Sequence, residues 1–253
     1  MSSTVIGLLS VGCVFGGALL GLALQRALPN HHLSKDSHEI VKLGAGMIAT
    51  LTALVLGLLV SSAKSSFDTM NGGIVQAGAK VILLDRVLAA YGPETKALRE
   101  QLQRGLAATI ENVWPRERTG VADLTVVERA SGMELIQTKL RELIPKDDAQ
   151  RQLLAQARQL AADLLETRWL LVEEAQNQLP VPFLIVLLFW LTVLFASFGL
   201  FSPRNATVLA VLFVCACSVS AAIFLVLEMS RPLTGIIKIS DGPFLKALEL
   251  LGR

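Results

Sequence analysis

The sequence predicts an all-α membrane protein, with four transmembrane helices and a helical domain inserted between the second and third. Three observations carry that reading. First, the runs Thr4–Leu24, Leu43–Ala63, Val181–Phe201 and Ala206–Leu227 are 21 or 22 residues long and hold no Asp, Glu, Lys, Arg or His. A helix rising about 1.5 Å per residue needs roughly 20 residues to cross a hydrocarbon core of about 30 Å, so each run suffices without help from tilt. Second, the 253 residues are 53% hydrophobic, with a mean hydropathy of +0.56, yet charge is segregated. The stretch Lys64–Leu179 carries 15 Lys/Arg and 16 Asp/Glu, as a water-exposed surface would. Third, no segment sustains the period-two alternation of a half-buried strand.

The elements follow in order. The first run has no positive charge in its flank, Met1–Ser3, and is longer than a signal-peptide core, so it is expected to remain as an uncleaved helix. The loop Gln25–Lys42 contains Pro29 and three histidines, His31, His32 and His38, beside Asp36 and Glu39. These are acceptable zinc or copper ligands, but their spacing matches no metal motif, and the loop reads as solvated interface. The second run continues without proline to Ala90, with Ile74, Ala77, Val81, Leu84 and Leu88 at helical spacing. Gly92-Pro93 ends it, the glycine as C-cap and the proline opening the next helix.

That next helix places Leu98, Leu102, Leu106, Ile110 and Val113 on one stripe until Pro115. Thr125 and Glu128 have the form of a capping box for a helix reaching about Ile144. Asp147 or Asp148 caps a long helix striped by Leu153, Ala157, Leu160, Leu164, Arg168 and Leu171. Together these make a four-helix bundle. Pro180 and Pro182 mark entry to the third span, and the short loop Ser202–Asn205 makes the last two spans an antiparallel hairpin. The resulting division is 1–63, a first membrane hairpin; 64–179, the water-exposed bundle; 180–227, a second hairpin; and 228–253, an amphipathic tail. In the tail, Phe244, Leu245, Leu248 and Leu251 share a face that suits either the membrane interface or the bundle.

Several function classes are excluded or left without support. A balanced charge offers no field for nucleic acid. Cys13, Cys215 and Cys217 lie inside spans and make no disulfide framework. There is no phosphate-cradling glycine loop, no GxSxG, no HExxH and no charge within a span to relay protons, so neither an enzyme nor a cofactor is expected. The second span is the most informative helix. Gly46, Thr50, Ala53, Gly57, Ser61 and Lys64 recur at spacings of four and three, giving one small or hydroxylic face that ends in a positive charge. Such a face lines a pore, where a ring of ammonium groups would favour anions, or it packs closely against another helix. Lys64 and Asp68 stand one turn apart, and Glu228 with Arg231 suits an interfacial ion pair at the exit of the fourth span. Trp114 reads as a packed anchor at a helix end.

Taken together, HEIVKLGAG (38–46), GLLVSSAKSSFDT (57–69), VILLDRVLAAYGPET (81–95), Trp114-Pro115, SPRNATV (202–208) and LEMSRPLTGIIKIS (227–240) resemble the bacterial bestrophin-like membrane proteins, a domain of unknown function. The resemblance covers nearly the whole chain in order. It implies an all-helical membrane protein of the bacterial inner membrane with both termini on one side. It also implies a distant similarity to bestrophin anion channels, which are pentamers with a cytoplasmic helical domain. The expected function is therefore a homo-oligomeric, channel-like protein in the lipid bilayer, with small anions as partners and the second span lining the pathway. The alternative is a non-conducting, membrane-anchored helical scaffold whose bundle binds a partner.

Overall fold

The computed structural model describes residues 3–29, 35–115, 132–176 and 181–252. Every regular element among them is helical: α1 (Ser3–Ala27), α2 (Lys35–Tyr91), a 3-10 turn (Pro93–Thr95), α3 (Lys96–Val113), α4 (Met133–Glu142), α5 (Asp148–Gln176), α6 (Val181–Phe201), α7 (Ala206–Met229) and α8 (Gly242–Leu250). Four of these, α1, α2, α6 and α7, are long and apolar enough to cross a membrane. The chain divides into two compact units, residues 1–66 with 178–230, and residues 67–177 with 231–253.

The first unit is the membrane unit. Its core joins Val14 and Ala18 of α1, Leu59 and Ala63 of α2, Leu187 and Leu191 of α6, and Ala216 and Ile223 of α7. The tightest seam is between α1 and α6. A Cβ on Gly21 would stand 2.0 Å from the Ala196 carbonyl oxygen, and one on Gly199 would stand 2.1 Å from that of Ala18. Bilayer helices lack a hydrophobic drive to associate, and small residues supply the backbone approach that replaces it. At the start of α7, the Asn205 side chain accepts the Val208 N–H at 2.8 Å, which satisfies one of the helix's orphan donors.

The second unit is a helical domain whose core includes the C-terminal half of α2. Ile74, Ala77, Val81, Leu84 and Leu88 are buried there, as their spacing predicts. Gly92, at φ +133°, takes a conformation open to glycine and turns the chain. Pro93 opens a 3-10 turn rather than α3 itself, and the fully buried Thr95 hydroxyl ties back to the carbonyls of Leu88 and Gly92. Leu98, Leu102, Leu106 and Val113 form the buried stripe of α3. Asp147, not Asp148, caps α5 by accepting the Gln150 N–H at 2.7 Å, and the Gln150 amide in turn donates to Tyr91 O at the end of α2 at 3.0 Å. The buried stripe of α5 runs through Leu154, Ala157, Ala161 and Leu164, with Leu153, Leu160 and Leu171 partly buried beside it. That is a rotation of about one residue from the predicted face, and it places Leu153 and Leu160 at the core's margin.

Two further expectations have a structural outcome. The capping box Thr125/Glu128 lies outside the described residues, and α4 is observed from Met133, after Gly132 at φ +57°. The tail resolves in favour of the bundle. Phe244, Ala247 and Leu251 join the helical core, Trp114 Nε1 donates to Ile239 O at 2.8 Å, and the Trp114 and Phe244 rings meet edge to face at 5.7 Å.

Candidate functional site: the outward face of α2

Within the membrane unit α2 has two chemically different faces. The inner face buries Thr52, Leu59 and Ala63, and the Thr52 hydroxyl donates to Ile48 O at 2.7 Å. The outer face carries Gly46, Thr50, Ala53, Gly57, Ser61 and Lys64, all exposed on the chain, interleaved with the exposed apolar side chains of Leu43, Met47, Leu51, Leu54 and Leu58. A Cβ on Gly46 or Gly57 would meet nothing within 4 Å. Within one chain, then, the stripe is not a helix-packing seam. That role belongs to Gly17, Gly21 and Gly199 between α1 and α6. The sequence signal for it, Gly17-x3-Gly21 facing Ala196-x2-Gly199, was present but not singled out.

The face is unevenly polar. Thr50 donates its hydroxyl proton to Gly46 O at 3.0 Å, one turn back, which leaves only acceptor lone pairs outward. The Thr50 hydroxyl therefore has no proton to offer outward from this face. At the Gly46 end, the stripe opens onto a groove of about 660 Å³ lined by His38, Lys42, Phe201, Ser202 and Val211 among others. The His38 and Phe201 rings lie 4.4 Å apart, tilted by 57°. His31 and His32 fall outside the described residues, as does any account of Asp36's side chain. Among the described residues, no group of three or more His, Cys, Asp or Glu is placed to hold a metal ion.

Asp68 is exposed on α2 and Arg231 is half-buried in the turn after α7, its carbonyl accepting the N–H groups of Thr234 and Gly235. Glu228, by contrast, is 3% exposed in the last turn of α7. The structure also reveals charge that the sequence did not flag. Asp85, 1% exposed on α2, is gripped by Arg99 through two bonds of 2.7 and 2.9 Å and receives the Gly252 N–H at 3.4 Å. The hydrogen bond from Arg99 to Asp85 raises the guanidinium pKa above its ordinary value. Glu94 is held below the ordinary carboxylate value by the Lys146 ammonium, which is raised in return. In the helical domain, a cavity of about 130 Å³ lies among Met70, Leu102, Leu106, Met133, Leu164 and Phe244, with Arg168 on its wall. Arg168 Nη1 donates to Glu134 Oε1 at 3.1 Å.

A family model described as the Bestrophin-like domain matches residues 12–244, nearly the full chain. The chain belongs to the bestrophin-like family. No curated protein and no solved structure matches it at a significant level. With four apolar helices of spanning length, this bestrophin-like protein is a multi-pass membrane protein.

Proposed function

We propose that this bestrophin-like protein is a homo-oligomeric, channel-like protein of the bacterial inner membrane that conducts small anions, with α2 of each copy lining the pathway. It uses no cofactor and catalyses no reaction. The observation that carries the reading is the position of the Gly46–Lys64 stripe on the outward face of α2. The most apolar stretch of α2 is 11% buried within the chain, against 33, 28 and 22% for α1, α6 and α7. The span that carries this stripe is thus also the least covered. Lipid solvates large apolar side chains, which all four spans present on their outer faces. On α2 the exposed Leu43, Met47, Leu54 and Leu58 flank a stripe of Gly, Thr, Ala, Gly, Ser and Lys, and it is that stripe which suits another copy or water.

Lys64 would set the ion preference, since a ring of ammonium groups at one end of a pathway attracts anions. The test is flux through the purified protein in liposomes. Lys64→Glu is expected to lower the chloride-to-potassium permeability ratio by about tenfold, about 1.4 kcal/mol of selectivity. Wild-type vesicles without flux, or a ratio unchanged in Lys64→Glu, would favour the non-conducting scaffold. The helical domain is assigned to the cytoplasm by analogy with bestrophins. Labelling of a cysteine at exposed Glu142 by an impermeant reagent added outside intact cells would reverse that assignment.

A further inference from the structure

We infer that the groove between the end of α1 and the α6–α7 hairpin is a binding site for an anionic phospholipid. The groove holds about 400 Å³, within the range of about 300–1,000 Å³ typical of ligand pockets. Its two ends differ in chemistry. One end presents Arg26 and Arg204, beside Asn205 where it caps α7, and the other is walled by Leu19, Leu22, Val208 and Leu209. Leu19 and Arg26 are seven residues apart on α1, so their backbone positions are separated by roughly 10 Å along the helix axis. That is the dimension of a phosphate with the first carbons of an acyl chain below it.

The arginines are arranged for an external anion. Arg204 Nε donates to Gln25 Oε1 at 2.9 Å, and Gln25 Nε2 reaches Ser202 O at 3.5 Å, which ties α1 to the hairpin loop and orients the guanidinium. The terminal nitrogens of Arg204 remain for a ligand. Neither arginine has a carboxylate partner among the described residues, and α1 contains no acidic residue. Two guanidinium groups with no carboxylate among the described residues beside them suit phosphate oxygens bidentately. The apolar run of α1 ends at Leu24, so both arginines emerge where phospholipid headgroups lie. A zwitterionic lipid would bring its own cation to that pair, and a soluble phosphate would leave the leucine wall without a use. Both considerations select a headgroup with net negative charge and an attached chain.

The experiment is native mass spectrometry of the full chain released from detergent, with phosphatidylglycerol or phosphatidylcholine of identical acyl chains added in turn. The expected result is preferential retention of phosphatidylglycerol. It should weaken by about thirtyfold in the double variant Arg26→Gln/Arg204→Gln, about fivefold per arginine. Arg26→Lys/Arg204→Lys, which keeps the charges and serves as a folding control, is expected to retain part of the preference. Equal retention of the two lipids, or retention unchanged in the Gln variant, would overturn the inference. Displacement by inorganic phosphate at equal concentration would also overturn it, and would make the groove a soluble-anion site. None of these outcomes depends on whether α2 conducts.

Discussion

Asp85 shows what one residue can cost. A carboxylate taken almost fully out of water persists because Arg99 meets both its oxygens. Losing one partner of such a pair strands the other, but the two losses are not equivalent. The Arg99 side chain is 21% exposed and that of Asp85 is 2% exposed, so a stranded guanidinium reaches water and a stranded carboxylate does not. Arg99→Gln is expected to cost about 3 kcal/mol, and Asp85→Asn nearer 1 kcal/mol, in denaturant titrations followed by tryptophan fluorescence. Equal losses would mean that Asp85 is better solvated than its burial implies. The exposed pair Glu94–Lys146 makes a pH prediction instead. Glu94 has its pKa lowered from 4.5, so its contribution is present above that value and fades as pH falls through the lower, folded one. Lys146 is raised from 10.5, and its contribution fades only as pH climbs through the higher, folded value. Lys146→Ala should therefore flatten the acid limb of the stability–pH profile while leaving pH 5 to 9 level; an unchanged acid limb would dismiss the pair. Neither pairing was legible in the sequence. Asp85 sits at a position whose helical neighbours are apolar, and only the fold brings Arg99, fourteen residues on, back against it.

At the scale of elements, the spans were legible because a bilayer demands a length and a composition that can be counted. The predicted runs agree with α1, α6 and α7 to within about three residues; α2, by contrast, begins at Lys35, eight residues before the predicted run and inside the segment read as loop, and continues to Tyr91, which the absence of proline foretold. Which glycines make contacts was not legible. Spacing puts Gly46 and Gly57 on one face of α2 and Gly17 and Gly21 on one face of α1, but it does not say which face meets a neighbour. The structure separates them, and mutation should as well. Even an alanine Cβ at Gly21 or Gly199 would press into a backbone oxygen, so Gly21→Ala and Gly199→Ala are each expected to cost about 1–3 kcal/mol in thermal melts of the detergent-solubilised chain. Gly57→Ala, with open space before it, should leave the fold of the single chain unchanged. If Gly57→Ala instead destabilised the monomer as much as Gly21→Ala, the outward assignment of the stripe would be wrong.

For the molecule as a whole, the pathway proposed along the outward stripe of α2 calls for more than one chain. Four helices cannot enclose a pathway along the outside of one of them, so conduction along α2 requires copies arranged around an axis, in a closed ring. The sequence could indicate the face but not the ring, since symmetry is a property of assembled copies and leaves no spacing in the chain. Native mass spectrometry of the protein in nanodiscs is expected to show one species of four or more copies. A cysteine at Ser61, in a chain stripped of Cys13, Cys215 and Cys217, is expected to cross-link neighbouring copies, because residues nearest a symmetry axis approach their counterparts most closely. A cysteine at Phe189 of α6, 63% exposed and placed by this reading toward lipid, should not cross-link. The pairing of these two positions is what gives the experiment its force. Cross-linking at Ser61 alone places α2 at the axis, whereas cross-linking at Phe189 alone would turn the assembly around and leave the Lys64 stripe facing lipid, where an ammonium ring could select nothing.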